Sequence, residues 1–249
     1  MILYFSSTGN SKYVAERLAA ALDDVCESVE KQDPRLLLDE GESLGIVSPT
    51  NWWGLSVLIR VFIDKMELTA SGNNYVYLVT TYGTSPGFSA EQAKRMLAAR
   101  GVKLDAAFSV KMPDNWTPLF DVSDKEAVAA QNKKAEDYIE ALISRVKARE
   151  KGNHQDARKG YWLHRFADAY LYYERQTKFF KVEEQCIGCG LCAKKCPVQA
   201  IELRDKKPVW IKDRCALCLG CLHRCPKFAI QYGKNTKKHG QYKNPNTRV

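Results

Sequence analysis

Eight of the nine cysteines lie between Cys186 and Cys225, in two runs of identical spacing, C-x2-C-x2-C-x3-C-P. The first run is Cys186, Cys189, Cys192 and Cys196 with Pro197; the second is Cys215, Cys218, Cys221 and Cys225 with Pro226. Three thiols at two-residue intervals force a tight loop, and the proline turns the chain away after the fourth. The runs sit in a repeat offset by 29 positions, EQCIGCGLCAKKCPVQAIEL against DRCALCLGCLHRCPKFAIQY. Each unit reads as a cysteine loop, a turn and a short strand through Ile201 or Ile230. An odd count and no secretory segment argue for metal ligation over disulfides. Such a loop wraps three irons of one 4Fe-4S cubane, whereas zinc sites would pair separated C-x2-C hooks and leave a cysteine of each run idle. Gly188, Gly190 and Gly220 let amide N–H groups approach the sulfurs. Cys26, in the other half of the chain, reads as a small buried or half-buried thiol.

A chain of 249 residues has room for a full-sized domain and a smaller module. Residues 1–150 alternate short apolar runs (ILYFS, LGIVSP, YVYLVTTYG, AAFSVKMP) with helical patterns such as KYVAERLAAAL and AEQAKRMLAARG. Alternation of this kind predicts an α/β fold, a doubly wound parallel sheet, with a small α+β domain following at 183–231. Such sheets bind ligands outside the carboxyl ends of their strands, which directs attention to the loops after Ser6, Ser48 and Thr81.

The first of these loops is Ser6-Ser7-Thr8-Gly9-Asn10-Ser11. Backbone N–H groups at a helix start and several hydroxyls make an anion site without Lys or Arg, suited to a phosphate monoester. It is neither a Walker loop nor a G-x-G-x-x-G fingerprint, and alone it also fits a plain helix cap. The other two are Pro49-Thr50-Asn51-Trp52-Trp53-Gly54 and Thr81-Tyr82-Gly83-Thr84-Ser85, with Gly87 closing the second. Trp and Tyr can sandwich a planar ring, and glycines let backbone groups reach its polar edge. One phosphate loop and two aromatic loops at one rim describe an FMN site.

With these motifs in hand, residues 1–150 resemble flavodoxin, whose phosphate loop has the form Ser/Thr-x-Thr-Gly-Asn-Ser/Thr found at 6–11. Residues 183–231 resemble two-cluster bacterial ferredoxins, and the whole chain resembles fusions of the two in this order from anaerobic prokaryotes. The resemblance implies FMN contacts at 6–11, 49–54 and 81–87. It implies one cluster on Cys186, Cys189, Cys192 and Cys225, and another on Cys215, Cys218, Cys221 and Cys196. Asn51 stands where related flavoproteins often carry Tyr, which shifts ring stacking to Trp52 or Trp53.

Between the two lies an expected helical linker, 151–182, in which Trp162, Phe166, Tyr170 and Tyr173 recur at helical spacing. That face reads as packing the two domains together, with a membrane-surface or partner-docking helix as the alternative. Residues 232–249 read as a basic tail, solvated or draped on the domains. The formal charge of +9 divides into net −4 for residues 1–150 and net +13 for 151–249. Two clusters at about −2 each and a flavin phosphate would bring the whole to roughly +3, which weakens a nucleic-acid reading.

FMN exchanges one or two electrons and each cluster one, so the expected role is electron transfer that converts between the two, with redox proteins such as ferredoxin as partners. A reductase acting on a small acceptor at the flavin, or a nucleic-acid binder using residues 234–248, are the other classes considered. No dinucleotide fingerprint implies a built-in NAD(P)H site, and His154, His164, His223 and His239 are scattered, so no catalytic acid or base is assigned. The opening MILYFSSTGN resembles neither signal peptide nor anchor, so a cytoplasmic chain is expected.

Overall fold

The computed structural model describes residues 1–156 and 160–249. The first part runs β1 (Ile2–Tyr4), α1 (Asn10–Leu22), β2 (Cys26–Ser28), β3 (Arg35–Leu38), β4 (Ser43–Asn51), β5 (Gly54–Leu55), α2 (Val57–Lys65), β6 (Glu67–Ala70), β7 (Tyr75–Tyr82), α3 (Ser89–Ala98), β8 (Ala106–Lys111), α4 (Lys125–Lys147) and β9 (Gly152–Asn153). The central sheet has the order β2-β1-β4-β7-β8-β9 with every neighbour parallel. The chain steps from β1 to β2 on one side and then returns to β4 on the other, so the switch point lies between β1 and β4. Strands β3 and β6 form a parallel pair of their own.

Alternate residues of each strand feed opposite cores. Ile2, Val47 and Val79 pack under α1 and α4 with Val14, Leu18, Ile139 and Leu142. Leu3, Ile46 and Leu78 pack under α2 and α3 with Ile59, Ile63, Ala93 and Leu97. All eight residues of β7 are buried, as a parallel strand covered on both faces requires. The sheet runs past the expected limit at residue 150, because β9 pairs with β8 and Gln155 behind it donates to Thr80 Oγ1 at 2.8 Å.

The second part holds α5 (His164–Glu174), β10 (Phe180–Val182), α6 (Leu191–Lys194), β11 (Ile201–Arg204), β12 (Lys207–Trp210), α7 (Gly220–His223), β13 (Ile230–Tyr232) and α8 (Thr236–His239). β10 pairs with β13 and β11 with β12, both antiparallel. Its core includes Leu171, Phe180, Leu217, Leu222 and Ile230, and Val57 of α2 joins it, so the two parts share one apolar seam.

The linker helix does bridge the two parts, but chiefly through Ala167, Asp168 and Leu171, with Tyr170 the member of its aromatic set that meets the first part, at Trp52. Ala167 and Leu171 point inward, and Asp168 meets Arg60 of α2 at 2.7 Å. Trp162 (72% exposed) and Phe166 (73%) face solvent, as do Tyr172 and Tyr173. Residues 157–159, within the expected linker, lie outside the described residues. Among the described residues no helix is long and apolar enough to cross a membrane.

The basic tail is draped. Gln241 Nε2 donates to the carbonyls of Leu222 and Cys225, Asn244 N–H donates to Thr8 O at 2.7 Å, and Tyr242 and Asn244 are buried. The inward face of α5 yields a stability test. Leu171→Ala should lower unfolding stability by about 2–5 kcal/mol, the usual loss for a buried leucine. Phe166→Ala should stay within about 0.5 kcal/mol of the parent in the same urea titration. Equal losses would contradict the orientation.

Candidate functional site

A cavity of about 380 Å³ opens at the carboxyl ends of β1, β4, β7 and β8, beside the switch point. Of the residues expected to hold a flavin, Ser6, Ser7, Thr8, Asn10, Ser11, Pro49, Thr50, Asn51, Trp52, Trp53, Thr81, Tyr82, Gly83, Thr84 and Ser85 line it. Gly9, Gly54 and Gly87 do not. They shape the backbone behind it.

Gly9 caps α1 in the left-handed region (φ 104°), and its N–H donates to Ser6 Oγ at 3.0 Å. A Cβ there would stand 2.8 Å from Asn244 of the tail. The first turn of α1 leaves N–H groups without helical partners, and no acidic side chain competes for them. Ser11 Oγ shares a hydrogen with Thr81 Oγ1 at 2.8 Å, tying the first loop to the third.

Trp52 (φ 48°) and Trp53 (φ 65°) form the two-residue turn of the β4–β5 hairpin. Both sit in a conformation that Asn-Gly adopts far more readily, a strain of about 1–3 kcal/mol per residue. The turn stays closed because its surroundings dictate it. Phe88 N–H donates to Trp53 O at 2.8 Å, and Gly87 approaches so near that a Cβ would lie 2.2 Å from Trp53. Trp52 rests edge-on against Tyr170 of α5 at 4.4 Å.

Two further walls escape the three-loop reading. One is the loop after β8, contributing Met112, Pro113, Asp114, Asn115, Trp116 and Leu119. The stretch MPDNWTPLF follows a parallel strand like the others, so its Trp, Asp and Asn were readable by the same rule. Asn115 Nδ2 donates to Thr8 Oγ1 at 2.5 Å. Asp114 packs its carboxyl on Gly83, where a Cβ would lie 2.1 Å from Oδ2, and accepts Trp116 N–H at 3.1 Å. Burial raises the Asp114 pKa above the usual carboxylate range, with that hydrogen bond opposing.

The other wall comes from the cysteine module, as Leu217, Cys218 and Leu219. Two small cavities lie within that module. One is lined by Cys186, Cys189, Cys192 and Cys225, the other by Cys196, Cys215, Cys218 and Cys221. Three cysteines of one run and the fourth of the other meet in each. Among the described residues no group of three or more His, Cys, Asp or Glu is drawn together tightly enough to hold a single metal ion. The repeat persists in three dimensions: Ala200 N–H donates to Cys196 Sγ and Ala229 N–H to Cys225 Sγ, each at 3.3 Å. Positive φ recurs at Gly188 and Leu217, Gly190 and Leu219, Gln199 and Phe228.

The two sets differ in setting. Cys189 is exposed, whereas Cys215 is buried and Cys218 lines both its own cavity and the large one. Burial pushes the Cys218 thiol up to about 12 and Cys221 well above its ordinary value. Thiols this desolvated ionise only against a compensating cation.

Polar bolts lock the module onto the cavity. Arg224 Nη2 donates to Ser6 O at 3.1 Å. His223 accepts Tyr242 N–H at Nδ1, so its Nε2–H donates to Asn115 O at 2.9 Å. Burial lowers the His223 pKa to about 4, which keeps the ring neutral in that role.

A flavodoxin domain model matches residues 1–141, and a 4Fe-4S dicluster domain model matches residues 185–241. The chain belongs to the flavodoxin domain family. With a 4Fe-4S dicluster domain behind it, the chain has the organisation of a flavodoxin–ferredoxin fusion. An uncharacterized polyferredoxin-like protein of Methanocaldococcus jannaschii is 39% identical over 62 residues, 20% of this chain and 37% of that protein. Ferredoxin-1 of Rhodospirillum rubrum is 62% identical over 26 residues, 10% of this chain and 47% of that one. The fusion thus spans less than half the length of either relative. Among solved structures, rubredoxin oxygen:oxidoreductase of Desulfovibrio gigas aligns at TM-score 0.35 and 17% identity, covering 58% of this chain and 36% of that one. The Trp repressor binding protein of Bacillus subtilis aligns at 0.34 and 15%, covering 53% and 95%.

Asp114 sets a pH dependence. Its folded pKa exceeds the unfolded value, so the folded state holds its proton longer, and stability present at low pH is lost as pH rises through the folded pKa. Asp114→Asn should unfold at a higher urea midpoint than the parent at pH 8, with the gap closing toward pH 4. A gap independent of pH would contradict a buried, titrating carboxyl.

Proposed function

We propose that this fusion passes electrons between two 4Fe-4S clusters and one FMN, converting one-electron into two-electron transfer. The grouping of eight thiols into two sets of four, with Cys218 shared by the inner set and the large cavity, is the observation that carries this reading. FMN would supply the two-electron chemistry and each cluster a single-electron store.

The residues fit these groups. Loop 6–11 offers hydroxyls and the open first turn of α1 to a phosphate, while Trp52, Trp53 and Tyr82 offer flat faces to a ring. Cys186, Cys189, Cys192 and Cys225 would hold the outer cluster, and Cys215, Cys218, Cys221 and Cys196 the inner one. Backbone N–H groups of Ala200, Ala229 and Leu217 donate to cysteine sulfurs at 3.3 Å and would raise the potentials of what those sulfurs bind. Leu217 and Leu219, both buried, flank Cys218 where the inner set meets the cavity. Electrons would run from the outer set through the inner set to the cavity, or back. Domain limits near 1–155 and 183–231, joined by α5, and a cytoplasmic setting with redox-protein partners belong to this reading.

Reduction of a small acceptor at the flavin is the second reading, favoured by the buried Asp114 carboxyl in the cavity, which could hold a proton there. Anaerobic purification with iron, sulfide and flavin assays, followed by redox titration under absorbance and EPR, tests the first. About eight irons and one FMN per chain, all titrating, are expected. Clusters without flavin, or zinc without iron, would overturn it. Steady turnover with small acceptors in the absence of any protein acceptor would favour the second.

A further inference from the structure

Five of the thirteen large exposed hydrophobics of the described residues fall within twelve positions: Trp162, Phe166, Tyr170, Tyr172 and Tyr173. Trp162, Phe166, Tyr172 and Tyr173 lie on the outer side of α5 and the turn before it, and Tyr170, 49% exposed, sits at the edge where the helix meets Trp52. A concentration of exposed aromatic residues of this kind marks an interaction site, and Trp, Tyr and Arg are the residues that dominate protein contacts.

Charge selects the occupant. Arg165, Lys178 and Lys212 are exposed around the aromatics, and Arg214 lies over the Tyr172 ring at 3.8 Å. None of these four pairs with a carboxylate among the described residues. The nearby carboxylates are largely engaged: Asp168 holds Arg60 at 2.7 Å, and Glu174 accepts Tyr232 Oη–H at 3.1 Å, leaving Asp213 exposed. A second copy of this chain presenting the same face would set cation against cation. The complementary surface is apolar at its centre and acidic at its rim.

The inner face of the same helix rests on the redox path. Leu171 packs in the core that contains Cys215, Cys215 N–H donates to Arg175 O at 3.0 Å, and Tyr170 touches Trp52 of the large cavity. A protein seated on the outer face would stand about one helix diameter, roughly 10–12 Å, from the inner thiol set and the cavity wall.

We propose that the outer face of α5 is the docking surface for a small acidic electron-carrier protein, which exchanges electrons with this chain across that helix. The proposal rests on the electron-transfer reading above. Each exchange moves one electron from the carrier's reduced centre to this chain; no bond forms or breaks.

The test uses the full chain with iron, sulfide and flavin assayed beforehand, so that a preparation lacking them reports failure of the electron-transfer reading and not of the docking surface. Stopped-flow reduction by a reduced acidic two-cluster ferredoxin is compared with reduction by methyl viologen radical, a small reductant that needs no docking. Arg165→Glu with Lys178→Glu should slow the ferredoxin reaction about tenfold or more at low ionic strength and flatten its salt dependence. Phe166→Ser should slow it about tenfold at all salt concentrations while leaving the viologen rate unchanged. The same charge reversal at exposed Lys133 and Lys134 on α4 should have little effect. Parental rates in the α5 variants, or equal slowing in the α4 variant, would overturn the proposal. So would Phe166-dependent binding to phosphatidylglycerol vesicles, or Phe166-dependent dimerisation in sedimentation, with the ferredoxin rate unaltered.

Discussion

The structure depends on one insertion: Leu217-Cys218-Leu219, the tip of the second cysteine loop, buried in the wall of the large cavity. Leu217 and Leu219 are 2% and 3% exposed, and both hold positive φ in spite of their side chains. A leucine in that region is disfavoured by about 1–2 kcal/mol, whereas burying it regains about 1.5–3 kcal/mol. The balance favours leucine only where a second surface covers it. At the equivalent positions of the first loop the β11–β12 hairpin comes too close for a side chain: a Cβ on Gly188 would lie 2.5 Å from Lys206 O, and one on Gly190 3.1 Å from Leu203. The two halves of the repeat therefore diverge for opposite steric reasons.

That divergence was written in the sequence as Cys-Ile-Gly-Cys-Gly against Cys-Ala-Leu-Cys-Leu, and it marks which loop faces the partner domain. The alternation of apolar runs and helices likewise made the parallel sheet legible, because strands covered on both faces leave a period-free apolar signature. Most residues of the three expected loops line the cavity, since they follow strands of one sheet and must emerge at one rim. Gly9, Gly54 and Gly87 do not line the cavity; a glycine states only that a side chain is forbidden, not what forbids it. In each case it is another part of the protein: the tail, Gln92, or the Trp53 backbone.

Periodicity has a parallel limitation. Spacing along α5 shows that the aromatic residues share a face, yet the small pair Ala167 and Leu171 is what the neighbouring core accommodates. For a different reason, the loop after β8 was marked in the sequence by its place behind a parallel strand but not by its contacts, and the tail was marked by nothing. Neither carries a repeat or a motif, and their roles arise from hydrogen bonds across more than a hundred residues, such as Asn115 to Thr8 and Asn244 to Thr8. Single-sequence patterns carry local information, and these contacts are not local.

The tail gives the two halves a common fate. Tyr242 is held by His223 on one side and, through its hydroxyl, by Asn10 and Asn132 on the other. Asn10 opens α1, so the first turn of the N-terminal domain is completed by groups that are positioned only when the cysteine module is folded. Folding of that module and occupancy of the large cavity are consequently linked equilibria, each stabilising the other by the same free energy. Oxidative loss of order in the cysteine loops would reach the phosphate loop as a rise in its dissociation constant, making release of the flavin a reporter of damage to the iron–sulfur half.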